Sequence, residues 1–338
     1  MALRGSVSTG VRLLILLASM VTPAQAASKL VVDDDRRQCP QAGFTTIQSA
    51  IDSLGSNATG TITVCAGTYT ESITVAVAHE LKLVGKRGAV IIPEFTPNHS
   101  TLISVQFSTD VTIKGFTIDG LGNDGTADAG GAVALEFLHS SGTIQNNTIR
   151  NWHTLNFAAT ANGLNAIHLI NGQGESVNVI DNTITDFQTN AILAEGSSTL
   201  KISGNDITTR STPANTATGI FVQSTGSGAP SGSITSNTLS SDSFPGGSSS
   251  IGIEVESFGV SCDAFGDGYR ITGNRITNSA ALGDTAIFIR ARGTNAQGSA
   301  QNELVTGNTI VNFSDPVSHT AEFNGVISGV FEPNRISA

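Results

Sequence analysis

One arrangement of apolar and polar positions recurs along the second half of the chain: apolar-x-x-Asn-x-apolar. It reads Ile144-Gln-Asn-Asn147-Thr-Ile149, then Ile202-Ser-Gly-Asn205-Asp-Ile207, Ile234-Thr-Ser-Asn237-Thr-Leu239, Ile271-Thr-Gly-Asn274-Arg-Ile276 and Val305-Thr-Gly-Asn308-Thr-Ile310, with a compressed form around Asn182. An earlier copy, Ile113-Lys-Gly-Phe116-Thr-Ile118, carries Phe in the Asn place. The Asn positions step by 35, 23, 32, 37 and 34 residues, which is a fixed unit with variable insertions. A second motif, small-apolar-x-apolar-x, follows each unit after a loop of changing length. It reads Ala132-Val-Ala-Leu-Glu136, Ala166-Ile-His-Leu-Ile170, Ala191-Ile-Leu-Ala-Glu195, Gly219-Ile-Phe-Val-Gln223, Gly252-Ile-Glu-Val-Glu256 and Ala286-Ile-Phe-Ile-Arg290. Period-two alternation over so few residues predicts short strands with one buried face.

Each coil is therefore expected to hold two or three short strands stacked in parallel on its neighbours, about 4.8 Å apart. Ile and Val then fill a continuous interior. The repeated Asn is placed at a tight corner, where it tolerates a left-handed backbone and can bond the Asn of the next coil. The crossover rule makes the coil right-handed. The predicted fold is all-β: a single-stranded right-handed parallel β-helix of roughly ten coils with a short N-terminal capping helix. That helix comes from Phe44–Leu54, where Ile47, Ala50, Ile51 and Leu54 share one face and Thr45 or Thr46 is the cap. Strands are expected after it at Thr61–Cys65, Ser72–Val75 and Leu81–Val84.

The opening of this region, Phe44-Thr-Thr-Ile-Gln-Ser-Ala-Ile and Cys65-Ala-Gly-Thr-Tyr-Thr-Glu-Ser-Ile73, resembles the pectin lyase-like parallel β-helix family, which includes pectin methylesterases and NosD-like repeat proteins. With the Asn repeats the resemblance spans Phe44 to Ile310. It implies a substrate laid along one strand ladder and walled by the longest loops. The esterase catalytic segments, Gln-Asp-Thr, Asp-Phe-x-Phe-Gly and Leu-Gly-Arg-Pro-Trp, do not occur; Trp152-His-Thr-Leu155 stands where a carboxylate is needed. The polygalacturonase set is missing as well, and Asp315-Pro316-Val317 breaks the alginate-epimerase motif. A NosD-like copper role lacks ligands, because six His are scattered and both Met lie in the leader.

Residues 1–26 read as a secretory signal: Arg4 and Arg12, the apolar stretch Leu13–Val21, and Ala24-Gln-Ala26 as the cleavage site. Residues 27–338 are then one β-helix domain, with 27–60 as its N-terminal cap, in a secreted (extracellular or periplasmic) protein that is not membrane-embedded. The formal charge of −10 argues against nucleic acid, anionic membranes and, weakly, polyanionic substrates. It also opposes end-to-end growth, so a monomer is expected. Of three Cys, Cys39 and Cys65 flank one helix-and-strand unit and are the expected disulfide, with Cys262 left over; three reduced thiols are the alternative.

The long loops precede the small-apolar-x-apolar-x strands, so the outward positions of those strands are the candidate groove. One row reads Ala134, His168, Leu193, Phe221, Glu254 and Phe288; its neighbour reads Glu136, Ile170, Glu195, Gln223, Glu256 and Arg290. Glu254, Glu195 and His168 are the catalytic candidates, and Phe221, Gln223, Glu256, Phe288 and Arg290 the substrate-binding ones. Aromatic faces stack on sugar rings while carboxylates bond hydroxyls or act as acid and base. Glu254 between two Phe suits a general acid, since apolar neighbours disfavour the charged form. Each residue also has a plainer reading: Glu254 as a solvated face residue, His168 as an ordinary exposed His, Glu256–Arg290 as a surface ion pair. No cofactor motif is present. Two loops offer carboxylates for Ca²⁺, Asp119, Asn123, Asp124 and Asp128 in one and Asp263 and Asp267 in the other, without EF-hand spacing. The partner expected is a polysaccharide or cell-surface glycan, cleaved by a hydrolase or lyase or held by a non-catalytic extracellular module.

Overall fold

The computed structural model describes residues 28–94, 101–122, 133–153, 164–172, 174–209, 217–224, 231–241, 251–259, 269–278, 285–293, 299–313, 315–323 and 326–337. The chain is a single-stranded right-handed parallel β-helix with three sheets of eleven, ten and nine strands. We name the sheets A, B and C in the order the chain visits them. One coil runs through Val111–Lys114 in sheet A, Thr117–Asp119 in sheet B and Val133–Leu138 in sheet C, then returns to sheet A at Gly142–Gln145.

Alternation along each strand and register between strands together build the interior. Ile113, Ile144, Val179 and Ile202 stack in sheet A. Ile149, Ile184 and Ile207 stack in sheet B, and Ile103, Leu135, Ile167, Ile192 and Ile220 in sheet C. All are essentially fully buried. Shortening one such Ile to Ala would leave a cavity costing about 2–5 kcal/mol. The small residue opening each sheet C strand has its own cause. A Cβ on Gly252 would meet Ile276 Cγ2 at 2.8 Å and the Ala286 carbonyl oxygen at 2.6 Å, so the neighbouring coil holds this position to glycine.

The corner between sheets A and B carries a buried amide ladder. Asn182 is representative: its backbone N–H and its Nδ2 both donate to Asn205 Oδ1 at 3.0 Å, and Nδ2 also donates to the Ile144 carbonyl at 2.9 Å. The ladder runs through Asn147, Asn182, Asn205, Asn237, Asn274 and Asn308 to Asn334, one rung beyond the repeats recognised in the sequence. At its lower end Asn147 Oδ1 accepts from the backbone of Phe116, the residue that replaces Asn. The left-handed position is not the ladder Asn, as expected, but the residue before it. Asn146, Asp181, Gly204, Ser236, Gly273 and Gly307 all have φ between 54° and 69°. Turning the backbone one residue earlier leaves the Asn side chain pointing inward along the axis, where its amide finds partners above and below.

Two shorter ladders were not read from the sequence. At the corner from sheet C to sheet A, Ser108 Oγ accepts from Ala78 N, Ser140 Oγ from Ser108 N and Asn171 Oδ1 from Ser140 N. At the start of sheet C, Asn190 Nδ2 donates to Asn165 Oδ1 at 2.8 Å.

The first coil has more strand than expected. Ser28–Val32 pairs with Gly60–Val64 as the first strand of sheet A, and Gly67–Thr70 opens sheet B. A short helix, Ile47–Asp52, lies between them, with Thr46 Oγ1 accepting from Ser49 N as its N-cap. Its buried face, Ile47, Ala50 and Ile51, joins the core.

Candidate functional site

Sheet C presents the candidate site. Its strands place alternate residues outward, and register decides which outward residues are neighbours. The first row is Ser104, Glu136, His168, Leu193, Phe221, Glu254 and Phe288. The second is Gln106, Leu138, Ile170, Glu195, Gln223, Glu256 and Arg290. The grouping of Ala134 with His168 is corrected by two residues: Glu136 pairs with His168, and Ala134 is fully buried. Alternation alone cannot distinguish a shift of two, because such a shift keeps every side chain on its face. Glu136 thereby enters the row of His168, one rung away.

Three of the expected residues form a bonded chain. The His168 imidazole and Glu195 Oε2 are 2.7 Å apart, and Gln223 Nε2 donates to Glu195 Oε1. The contact is diagonal, because His168 sits directly opposite Leu193 and reaches across to Glu195. The bond from His168 is the main cause holding the Glu195 carboxyl below the usual range; desolvation works against it, and the His168 charge and the Gln223 amide reinforce it. Beside this chain, Gln106 Nε2 donates to Ser104 Oγ, which donates to Glu136 Oε2.

Glu254 lies one rung from Phe221 and one from Phe288. It is only 8% exposed, and Glu256 only 6%, so neither is a solvated face residue. Glu256 Oε1 lies 3.6 Å from Arg290 Nη1, and the same guanidinium sits 5.8 Å from the centre of the Phe288 ring. This is a largely buried pair rather than the surface pair expected. A buried pair has lost its hydration, so removing either partner leaves a costly charge. Leu193 and Ser104 are also buried, so the face is not the uniformly open groove that outward alternation suggested.

Other candidate residues are placed differently. Among the Ca²⁺ candidates, Asp119 is occupied by protein: it accepts from Arg150 Nε at 2.7 Å, Asn151 Nδ2 at 2.8 Å and Leu121 N at 2.9 Å. Asn123, Asp124, Asp128, Asp263, Asp267 and Cys262 lie outside the described residues. Cys39 and Cys65 are joined as a disulfide. The Gly-Thr-Tyr-Thr-Glu signature serves the scaffold. Both Glu71 carboxylate oxygens accept from the first helix amides, Ile47 N at 2.8 Å and Gln48 N at 2.9 Å, and Tyr69 donates to the Cys65 carbonyl. A second His–carboxylate pair escaped the sequence reading: buried His153 lies 3.1 Å from Asp186 at the end of sheet B, in the segment that replaces the esterase's Gln-Asp-Thr. No periodicity marks it, because it depends on two corner residues of adjacent coils.

No family model matches the chain, and neither does any curated protein. Solved structures similar to it include the pectin methylesterase PemA from Erwinia chrysanthemi, at 14% identity and a TM-score of 0.47, covering 88% of this chain and 81% of that one. The polygalacturonase from Erwinia carotovora ssp. carotovora matches at 13% identity and 0.47, covering 94% and 99%. The catalytic domain of an alpha-1,3-glucanase matches at 13% and 0.42, covering 94% and 60%. The β-helix itself is read from this chain's own strand register. Among the described residues, no helix is long and apolar enough to cross a membrane.

Proposed function

We propose that the chain is a secreted β-helix protein that binds a polysaccharide across the outer face of sheet C and hydrolyses it with an acid–base carboxylate pair. The observation that carries this reading is the His168–Glu195–Gln223 chain set beside the Phe221–Glu254–Phe288 row. Glu195, kept ionised by His168, is the base that takes a proton from water. Glu254, between two aromatic rings, is the acid that protonates the glycosidic oxygen as the bond to the anomeric carbon breaks and the water oxygen adds. The two lie two coils apart, on the order of 10 Å along the axis. That suits an inverting mechanism, which needs room for the water, rather than a retaining one. Phe221 and Phe288 supply stacking faces, and Gln223, Glu256 and Arg290 supply partners for hydroxyls.

The low exposure of Glu254 and Glu256 favours a second reading, a non-catalytic glycan-binding module in which these acids hold the face together. A glycan library screened with the purified protein separates the two if binding and reducing-end release are scored independently. Release that falls by roughly a hundredfold in Glu254→Gln and in Glu195→Gln, with binding retained, supports hydrolysis. Binding without release identifies the module, and absence of both rejects the reading.

A further inference from the structure

A second polar surface lies on sheet A, apart from the sheet C rows. A groove of about 600 Å³ follows the outer face of sheet A beside the corner from sheet C. Its floor is a column of outward residues from successive coils, among them Lys82, Thr112, Thr143 and Asn178. Its wall includes Glu80 and Asp110. Among the described residues, neither the Lys82 ammonium nor the Asp110 carboxylate bonds another side chain.

The ridge beside the wall carries an unusual aromatic pair. Phe107 is 60% exposed and stacks on the exposed His139, with ring centroids 5.6 Å apart and planes 19° apart. They occupy the same corner position in adjacent coils, both in the left-handed region, at φ 48° and 46°. Glu80 and Asp110 on the wall are left-handed too, both at φ 55°. Bulky residues in that conformation are strained, and an exposed Phe recovers no burial to offset it. Asp110 is three residues from Phe107, so the backbone of the ring platform lies within about 10 Å of the Asp110 backbone on the groove wall.

We infer that this corner and groove form a second binding site, for an uncharged oligosaccharide. A pyranose has apolar ring faces and a rim of hydroxyls. Phe107 stacked on His139 offers the face, and the groove supplies alternating donors and acceptors for the rim. The volume is that of an ordinary small-ligand site. Two acids against one Lys named here disfavour a polyanion. This inference is independent of the sheet C reading and uses none of its residues.

The test is titration calorimetry of the full chain with cello-, laminari- and mannohexaose and a galacturonate hexasaccharide. It is run in wild type and in a Glu195→Gln/Phe221→Ala background that disables sheet C. A neutral hexasaccharide is expected to bind in both backgrounds. Phe107→Gly should weaken it at least about tenfold while keeping or raising Tm, because Gly relieves the left-handed strain. Thr143→Arg, which fills the groove, should weaken it similarly. The stability readout separates lost binding from lost folding. The inference is overturned if no neutral probe binds wild type, if Phe107→Gly and Thr143→Arg bind unchanged, if the galacturonate is preferred, or if binding vanishes with the sheet C background.

Discussion

The first and the last coils are built on one template but resolve their interiors differently. At the start, the helix cap, the first helix amides and two cysteines all have partners. Thr46 caps the helix, Glu71 takes its first free amides, and Cys39–Cys65 ties strand to turn. Further along, one column of sheet A passes from the inward Val177 and Leu200 to Gly232, Tyr269 and Glu303 and ends at the exposed Gly329. Glu303 is 1% exposed; its Oε2 accepts from Tyr269 N at 2.8 Å, while its Oε1 has no hydrogen-bond partner. Burial pushes the Glu303 carboxyl up to about 7, with the Tyr269 amide opposing. A solenoid repeats its backbone, but its stability is summed coil by coil, so adjacent regions can differ in what limits them.

The largest effect should come from the start. Closing a loop with a sequence separation of 26 contributes roughly 3.5 kcal/mol in the chain-entropy model. Cys39→Ser/Cys65→Ser should therefore lose about that much in denaturant unfolding; an unchanged midpoint would show that the helix and Glu71 alone secure this end.

Glu303 should act at the other end, with a pH dependence. Its folded pKa is raised from 4.5 to about 7. Stability is then greatest below the unfolded value, falls as pH rises from about 4.5 to 7, and levels off above. The full difference is roughly 3 kcal/mol. Glu303→Gln should flatten this dependence and stabilise the protein at pH 8. Hydrogen exchange should show the gain in the coils holding Tyr269 and Glu303, not at the helix. Equal protection in wild type at pH 5 and pH 8 would remove the contrast between the two regions.

A substitution in the middle calibrates both. Asn205→Leu removes the amide that bonds Asn237, the Val179 carbonyl and Asn182. It should cost roughly 1–3 kcal/mol for the groups left unpaired. A cost confined to the adjacent coils by hydrogen exchange would support coil-by-coil summation. The smallest effect concerns association. The acidic chain should stay monomeric, and a stable dimer by light scattering at micromolar concentration would contradict this.

The repeat made much of this molecule readable in advance. Stacking puts the same residue type at the same place in every coil, so Asn147 to Asn308 and the inward Ile columns announce themselves by recurrence. What happens once is not announced that way. The Ser28–Val32 strand, the Glu71 contact with the helix and the Glu303 carboxyl each depend on a single meeting of distant segments. Asn334 is a rung of the same kind, because Phe331-Glu-Pro-Asn334-Arg-Ile336 fits the repeat.

By itself the sequence determined which face of each strand is buried, where the amide corner falls and that the strands stack in parallel. These follow from side-chain period and from repetition, both local properties. Tertiary structure alone decided the rest. It set Glu136 opposite His168, because alternation leaves a two-residue shift undetermined. It joined His168 to Glu195 diagonally between coils, and it buried Glu254 and Glu256 on a face that alternation marks only as outward. Facing out of a sheet is set by the backbone, whereas exposure to water depends on what the rest of the chain lays over it.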